Sequence, residues 1–240
     1  LALPHLLAAG YVRAEERYAA GVERDFFGPA DAAPEGAPPV VMLTDTYVEL
    51  NGVAGTMRRL ADYASAHPAC GMRVLSCGAG TPSTPGHLDL PPVADLPVPA
   101  YGDGSWRLGV PSVLDLLDVV TGSGARVVHA ATPGPMGLAG LVVARTLGLP
   151  FVATHHTELA RYVLELTGDR LAAGIADRSV RWFHGQAERV YAPTLTTTQG
   201  LVRAGVDPER VVLFTRGVDV EAFSPERAGR SMRRRLGGRE

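Results

Sequence analysis

The chain is predicted to fold as an α/β domain, a doubly wound and mainly parallel sheet of Rossmann-like type, and three observations carry that expectation. Short apolar runs of strand length recur at Val40 to Leu43, Met72 to Cys77, Arg126 to Ala130, Pro150 to Thr154, Arg189 to Ala192 and Val211 to Phe214. Longer stretches with helical spacing separate them, as in Thr56, Met57, Leu60, Ala61 and Ala64. Glycine, proline or polar residues mark each passage from run to helix. Alternating strands and helices bury the sheet on both faces, which is the setting in which parallel strands are stable.

Taken in order, residues 1 to about 28 read as one or two short helices, with Leu6, Leu7, Tyr11, Tyr18, Val22 and Phe26 as their apolar positions. A Pro/Gly/Ala stretch from Gly28 to Pro39 reads as a linker, so 1–39 forms an N-terminal segment and the sheet domain spans 40–215. A helix is expected to begin near Gly55 or Thr56. The interval from Gly78 to Trp106 carries six prolines and breaks the pattern. It reads as a long loop, with an irregular edge strand around Leu88 to Leu90, serving either as an exposed excursion or as a contact for substrate. A helix through Leu147 follows the Pro133-Gly134-Pro135 turn, and residues 216–240 form a connector toward a further domain.

Composition narrows the function classes. With 240 residues, 46% apolar content and 20% charge, the chain is an ordinary globular protein with room for a substantial core. A formal charge of -2 excludes a strongly basic nucleic-acid footprint by net charge. Every basic residue other than histidine is arginine. The two cysteines, Cys70 and Cys77, fit neither a disulfide framework nor a zinc site, and a reducing cytoplasm is the simplest setting. No apolar run approaches the roughly 20 residues that cross a bilayer. The first residues lack a signal peptide's charged start, and a chain that opens on Leu1 reads as a fragment.

Ligands of open α/β sheets bind at the carboxyl ends of the strands, so the loops there are the candidate sites. After the first run, Thr44-Asp45-Thr46-Tyr47 leads to Asn51-Gly52-Val53-Ala54. Gly52 has no side chain to hold a ligand away from the backbone, and a helix start offers open amides to an anion such as a diphosphate. Asn51-Gly52 standing alone would be a plain turn. After the third run stands His129-Ala130-Ala131-Thr132-Pro133-Gly134. The fourth is followed by His155-His156-Thr157-Glu158-Leu159-Ala160-Arg161-Tyr162. Adjacent residues of an extended segment point to opposite sides, so one of the two histidines, His156, is expected in the cleft. The spacing of His155, His156 and Glu158 is not that of a His-Glu-x-x-His metal helix, and no metal is expected. A Gly-x-Ser-x-Gly elbow and a GxGxxG loop are both missing, which weakens hydrolase and dinucleotide-dependent oxidoreductase readings.

These segments, with Arg216-Gly217-Val218-Asp219 and Phe223-Ser224-Pro225 near the end, resemble in sequence order the retaining, nucleotide-sugar-dependent glycosyltransferases of family 4. The third loop is similar to the Tyr-His-Thr-Asp-Phe-Pro-x-Tyr segment of glycolipid-forming members. His155, Glu158 and Leu159 stand where those enzymes carry Tyr, Asp and Phe. The resemblance implies the N-terminal, acceptor-side half of a GT-B architecture. It implies Asn51, Gly52 and Val53 beside the donor diphosphate and His156 and His129 as catalytic residues. Some members carry the latter histidine two positions later, and a histidine satisfied within the strand end is the other reading of His129. The acceptor contacts implied are Asp45, Tyr47, Thr132, Thr157, Glu158, Arg161 and Tyr162, and Arg216, Gly217 and Asp219 make the interdomain connector. No cofactor is implied beyond the nucleotide sugar itself. A lipid or carbohydrate is the acceptor, and peripheral contact at the inner membrane face is a further expectation, while the arginine-rich tail also fits a solvated helix. A non-catalytic GT-B-like binding module is the alternative function.

Overall fold

A computed structural model describes residues 2–27, 39–98, 106–156, 158–215, 217, 220, 221 and 224. The expected linker (28–38), Thr157, and Arg216 and Asp219 of the connector lie outside the described residues.

Seven parallel strands form one sheet, and the apolar runs supply six of them: β1 (Val40–Leu43), β2 (Met72–Cys77), β6 (Val127–Ala130), β7 (Phe151–Thr154), β8 (Arg189–Ala192) and β9 (Val211–Leu213). The seventh is β3 (His87–Leu90), and the spatial order is β3-β2-β1-β6-β7-β8-β9. Consecutive pairing runs outward from β1 in one direction and from β6 in the other. The winding therefore reverses between β1 and β6, where the loops leaving the two strands diverge to opposite faces and open a crevice. Helices cover both faces. On one, β1, β6 and β7 alternate Val41, Leu43, Val128, Ala130 and Ala153 into a core with α3 (Val113–Gly122), α4 (Pro135–Leu147), Phe183 of α6 (Arg170–Gly185) and Leu201 of α7 (Leu195–Arg203). On the other, Met42 and Val74 meet Met57 and Ala61 of α2 (Gly52–Ala66).

Several expectations change. Residues 3–27 form one helix, α1 (Leu3–Phe27), because Pro4 sits in the first turn, where no amide is missed, and Gly10 passes close to the Thr146 carbonyl. Leu6 and Ala9 pack on the core from this helix. Helix α2 starts at Gly52, three or four residues before the expected point. The Asn51 carboxamide oxygen accepts the Ala54 N–H at 2.8 Å and caps the helix there.

The proline-rich interval holds more regular structure than its composition indicates. After β3 comes β4 (Pro92–Pro97), paired antiparallel with β5 (Arg107–Pro111) in a separate two-stranded ribbon. Prolines 92 and 97 lie at the ends of β4, whose outer edge needs no ladder partner, so the missing N–H groups cost little. Strand β5 lies against β2: a Cβ on Gly109 would collide with the Cys77 carbonyl oxygen. A buried knot holds β2 to β3. Ser76 donates to Asp89 at 2.7 Å, stands 2.9 Å from His87 Nε2, and Asp89 also accepts the Ala79 and Gly80 amides at 3.1 and 2.7 Å. Ser76 is 2% exposed, so this Ser-His-Asp group serves the sheet edge and is out of reach of a substrate.

Replacing Gly109 by Val should push the ribbon off β2. The expected loss is about 1–3 kcal/mol from overpacking, read as a lower urea midpoint with an unchanged slope.

Candidate active-site cleft

The crevice at the β1/β6 reversal is a cleft of about 530 Å³. Its floor is built by the loops after β1 and β6, which are tied together by one carboxylate. Asp45 accepts the Thr132 hydroxyl at 2.5 Å and the Gly134 amide at 3.0 Å on Oδ2, and the Met136 amide at 2.7 Å on Oδ1. Thr132 Oγ1 in turn accepts the Asp45 N–H at 2.8 Å. Gly134 precedes α4 and has no side chain of its own to cap it, so Asp45 performs that task from another strand. A Cβ on Gly134 would lie 2.5 Å from Asp45 Oδ2, which is why the cap position is glycine. Burial pushes the Asp45 carboxyl up to about 6, against the pull of the bonds from Thr132, Met136 and Gly134, and nearby Glu49 adds to the rise.

The polar end of the cleft is lined by Asp45, Thr46, Asn51, Gly52, Val53 and Thr132. Gly55 N–H makes the first bond of the α2 ladder, to the Asn51 carbonyl, so the amides of Gly52 and Val53 precede it at the positive end of the helix. A Cβ on Gly52 would meet nothing in the chain within 4 Å. Neither packing nor backbone conformation demands a glycine there, and the open space belongs to the cleft.

Past the end of β7, both His155 and His156 line the cleft, where one was expected. The pleat stops at Thr154, so the alternation that would have turned one of them away no longer applies. Burial holds the His155 imidazole below its ordinary range, opposed by Glu158, whose Oε1 lies 3.6 Å from Nε2. His156 differs: both ring nitrogens are buried and neither has a hydrogen-bond partner among the described residues. Beside them stands His184 of α6, 1% exposed, its Nδ1 2.7 Å from the Val180 carbonyl. Burial and the adjacent His155 push its pKa down to about 4.

Other sequence candidates fall elsewhere. His129 does not line the cleft. Its Nε2 is 2.7 Å from Thr154 Oγ1 and its ring leans on Tyr191 across the sheet face, while burial lowers its pKa to about 4. The reading as a histidine satisfied at a strand end describes what is seen. Tyr47 is buried and stacks on His87 with ring centroids 3.8 Å apart, away from the cleft. Glu158 and Arg161 are exposed and outside the lining, and Arg161 pairs with Glu165 at 2.8 Å. Tyr162 lines the cleft, and Gly217 of the connector is exposed. Among the described residues, no group of three or more His, Cys, Asp and Glu side chains could hold a metal ion.

The other end of the cleft is apolar, and it draws Val98 and Trp106 from the interval read as either an exposed excursion or a substrate contact. Val98, Trp106 and Leu108 of the β4–β5 ribbon face Leu159, Val163 and Leu166 of α5 (Leu159–Thr167). The α5 positions recur at helical spacing, a signal present in the sequence. His184 and Trp106 carried none, since only the fold brings them to the loops.

The chain is similar to known proteins. The model of Glycosyltransferase Family 4 matches residues 50–222. A GDP-mannose-dependent alpha-mannosyltransferase of Mycobacterium tuberculosis (strain CDC 1551 / Oshkosh) is 36% identical over 128 residues, which is 53% of this chain and 33% of that protein. Sulfoquinovosyl transferase SQD2 of Arabidopsis thaliana is 30% identical over 115 residues, 48% of this chain and 22% of that protein. The chain thus spans a third or less of the length of these curated relatives. Sucrose-phosphate synthase from Thermosynechococcus elongatus superposes with a TM-score of 0.56 at 15% identity, over 84% of this chain and 53% of that one. The Anabaena Alr3699/HepE structure in complex with UDP-glucose gives 0.51 at 15%, over 84% and 50%. At such identities the structures support the fold.

The Asp45 carboxyl yields a pH prediction. Its folded pKa of about 6 lies above the ordinary 3.8, so the folded state holds the proton more tightly than the unfolded chain. Its contribution to stability therefore falls as pH rises from about 4 through 6. Against Asp45→Asn, which does not titrate, the wild type should gain unfolding free energy as the pH is lowered from 7 to 4.5. Urea titrations across that range measure the difference. Asp45→Ala should cost about 1–3 kcal/mol at any pH by stranding the Gly134 and Met136 amides.

Proposed function

The chain belongs to glycosyltransferase family 4, and on that premise we propose that it is the acceptor-side half of a retaining enzyme that moves a hexose from a nucleotide diphosphate sugar to a lipid or sugar acceptor. One observation carries this reading: the open helix start at Gly52 and the partnerless imidazole of His156 line the same cleft at the winding reversal of the sheet. A diphosphate placed at the amides of Gly52 and Val53 lies against the positive end of α2, and the missing side chain lets it approach. A neutral imidazole has one donor and one acceptor nitrogen, so a hexose whose hydroxyls reach this ring satisfies both.

Transfer then proceeds on one face of the sugar. The acceptor oxygen forms a bond to the anomeric carbon as the bond from that carbon to the diphosphate oxygen breaks, and the acceptor's proton passes to the departing phosphate oxygen. The donor's nucleotide is held by a further domain, reached through the connector at 216–240. Closure of that domain over the cleft excludes water, which would otherwise hydrolyse the activated sugar. The hexose is mannose or a related sugar, in keeping with the GDP-mannose-dependent activity of the Mycobacterium tuberculosis relative. No metal or cofactor takes part, and no nucleic acid is a partner. Among the described residues no helix is long and apolar enough to cross a membrane. The protein works in the cytoplasm, with its acceptor drawn from the inner membrane face where that acceptor is a lipid.

The test is nucleotide release from GDP-mannose and UDP-glucose across a panel of lipid and sugar acceptors, using the protein that carries this chain together with its donor side. Gly52→Val should leave Tm unchanged within a few degrees, since a Cβ there meets nothing within 4 Å among the described residues, and should lower kcat/KM for the donor about a hundredfold or more by blocking the helix start. His156→Phe should likewise leave Tm near that of the wild type, because its nitrogens bond to none of the described residues, and lower turnover about a hundredfold. Wild-type turnover in both variants, or no nucleotide release by the parent protein from any donor, overturns the reading and leaves a binding module.

A further inference from the structure

Glu49 stands between the two halves of the cleft and was not singled out by any motif. Its Oε2 accepts the Thr46 hydroxyl at 2.6 Å and the Tyr47 amide at 2.7 Å. Its Oε1 accepts the indole N–H of Trp106 at 2.7 Å, across 57 positions of sequence. Thr46 Oγ1 also accepts the Asn51 carboxamide N–H at 2.8 Å, and Asn51 caps α2 through Ala54. An unbroken run of hydrogen bonds therefore links the helix start at Gly52, through Asn51, Thr46 and Glu49, to Trp106. The Arg58 guanidinium closes the same loop by donating to the Tyr47 carbonyl.

Trp106 is the entry to β5, and its ring lines the apolar end of the cleft opposite Leu159 and Leu166. The ribbon that carries it meets the body of the domain chiefly along β5, while β4 is exposed along its whole length. A large aromatic ring on such a ribbon needs a fixed point if it is to form one wall of a cleft. The carboxylate of Glu49 is that point. An indole N–H can only donate, and a carboxylate can only accept, so the pairing has one sense and a preferred geometry.

We propose that Glu49 is a positioning residue that latches the Trp106 wall to the helix start at Gly52, and that the cleft so formed selects an amphiphilic acceptor, with its hydroxyl at the polar end and an apolar chain between Trp106 and α5. The acceptor assignment rests on the transferase reading given above. The latch itself does not, because it is a matter of binding geometry. A sugar alone fills the polar end, and it leaves Leu108, Leu159, Val163 and Leu166 facing water. An alkyl chain removes that surface from solvent, which favours its binding. A ring free to swing away from Glu49 would open the slot and forfeit this gain.

The experiment uses indole emission from Trp106 in a Trp182→Phe background. Trp182 is exposed on α6 and outside the cleft, so its removal leaves Trp106 as the single indole of the chain. n-Octyl β-glucoside below its micelle concentration, and methyl β-glucoside as the same sugar without the chain, are the probes. The octyl compound should shift Trp106 emission and bind about tenfold or more tighter than the methyl one, equivalent to at least ~1.4 kcal/mol. Glu49→Gln, whose amide nitrogen opposes the converging donors, should red-shift the emission and weaken octyl binding about tenfold. Trp106→Phe leaves the Glu49 bonds to Thr46 and Tyr47 intact, and octyl binding to it is followed by calorimetry. It should show the same loss, and the double variant should be no worse than the poorer single one, as coupled partners require.

Equal binding of the two glucosides overturns the amphiphile assignment. Additive losses in the double variant, or unaltered octyl binding in Trp106→Phe, overturn the latch. Because these readouts need no transfer, they are decided separately from nucleotide release.

Discussion

The cleft depends on the Asp45 carboxylate. In a doubly wound sheet the loops after β1 and β6 leave toward opposite faces, and nothing in the strand ladder fixes the distance between their tips. Asp45 supplies that constraint by taking three donors from the β6–α4 turn while its own amide bonds back to Thr132. The residue also caps α4, so the floor of the cleft and the start of a core helix are one structure. Buried, and kept charged at neutral pH by its donors, it is costly on its own and stable only as part of this closed group.

Upon that floor the chain sets two chemically different ends. The polar end holds an open helix start and a histidine whose ring nitrogens have no partner among the described residues. The apolar end is made of surfaces from β4–β5 and α5 that a solitary domain would prefer to cover. Buried polar atoms without partners are uncommon in folded proteins, and so are clustered exposed apolar side chains around a concave surface. Both occur in one cleft. Two other histidines show what a satisfied imidazole looks like: His87 is stacked and bonded within the β2–β3 knot, and His129 rests on Thr154 and Tyr191.

Much of the architecture was legible because strand runs and helical periods are local properties. Six apolar runs lie at strands to within one residue, and the break at Gly134 marks the start of α4. What escaped was non-local. Six prolines disguised the β4–β5 ribbon, since an edge strand tolerates prolines that a central strand would not. The start of α2 was set by the Asn51 cap, which needs Thr46 on its other side to hold the carboxamide in place. Tyr47 was legible as part of a motif, but its stacking on His87 turns the ring away from the cleft, and no pattern in the loop itself could disclose a partner forty residues on.

By itself, then, the sequence determined the parallel α/β class, the loops at which ligands would be sought, and the family to which its motifs belong, because each of these follows from short-range spacing and residue type. Tertiary structure alone decided which candidate side chains share a cleft, that both His155 and His156 face it, that His129 does not, and that Glu49 and Trp106 join across 57 positions. The physical reason is that hydrogen bonding and burial act over a few ångströms in space, without regard to distance along the chain. Pairing of β1 with β6, and packing of the β4–β5 ribbon on β2 and α4, bring together groups whose chemistry is mute until they touch.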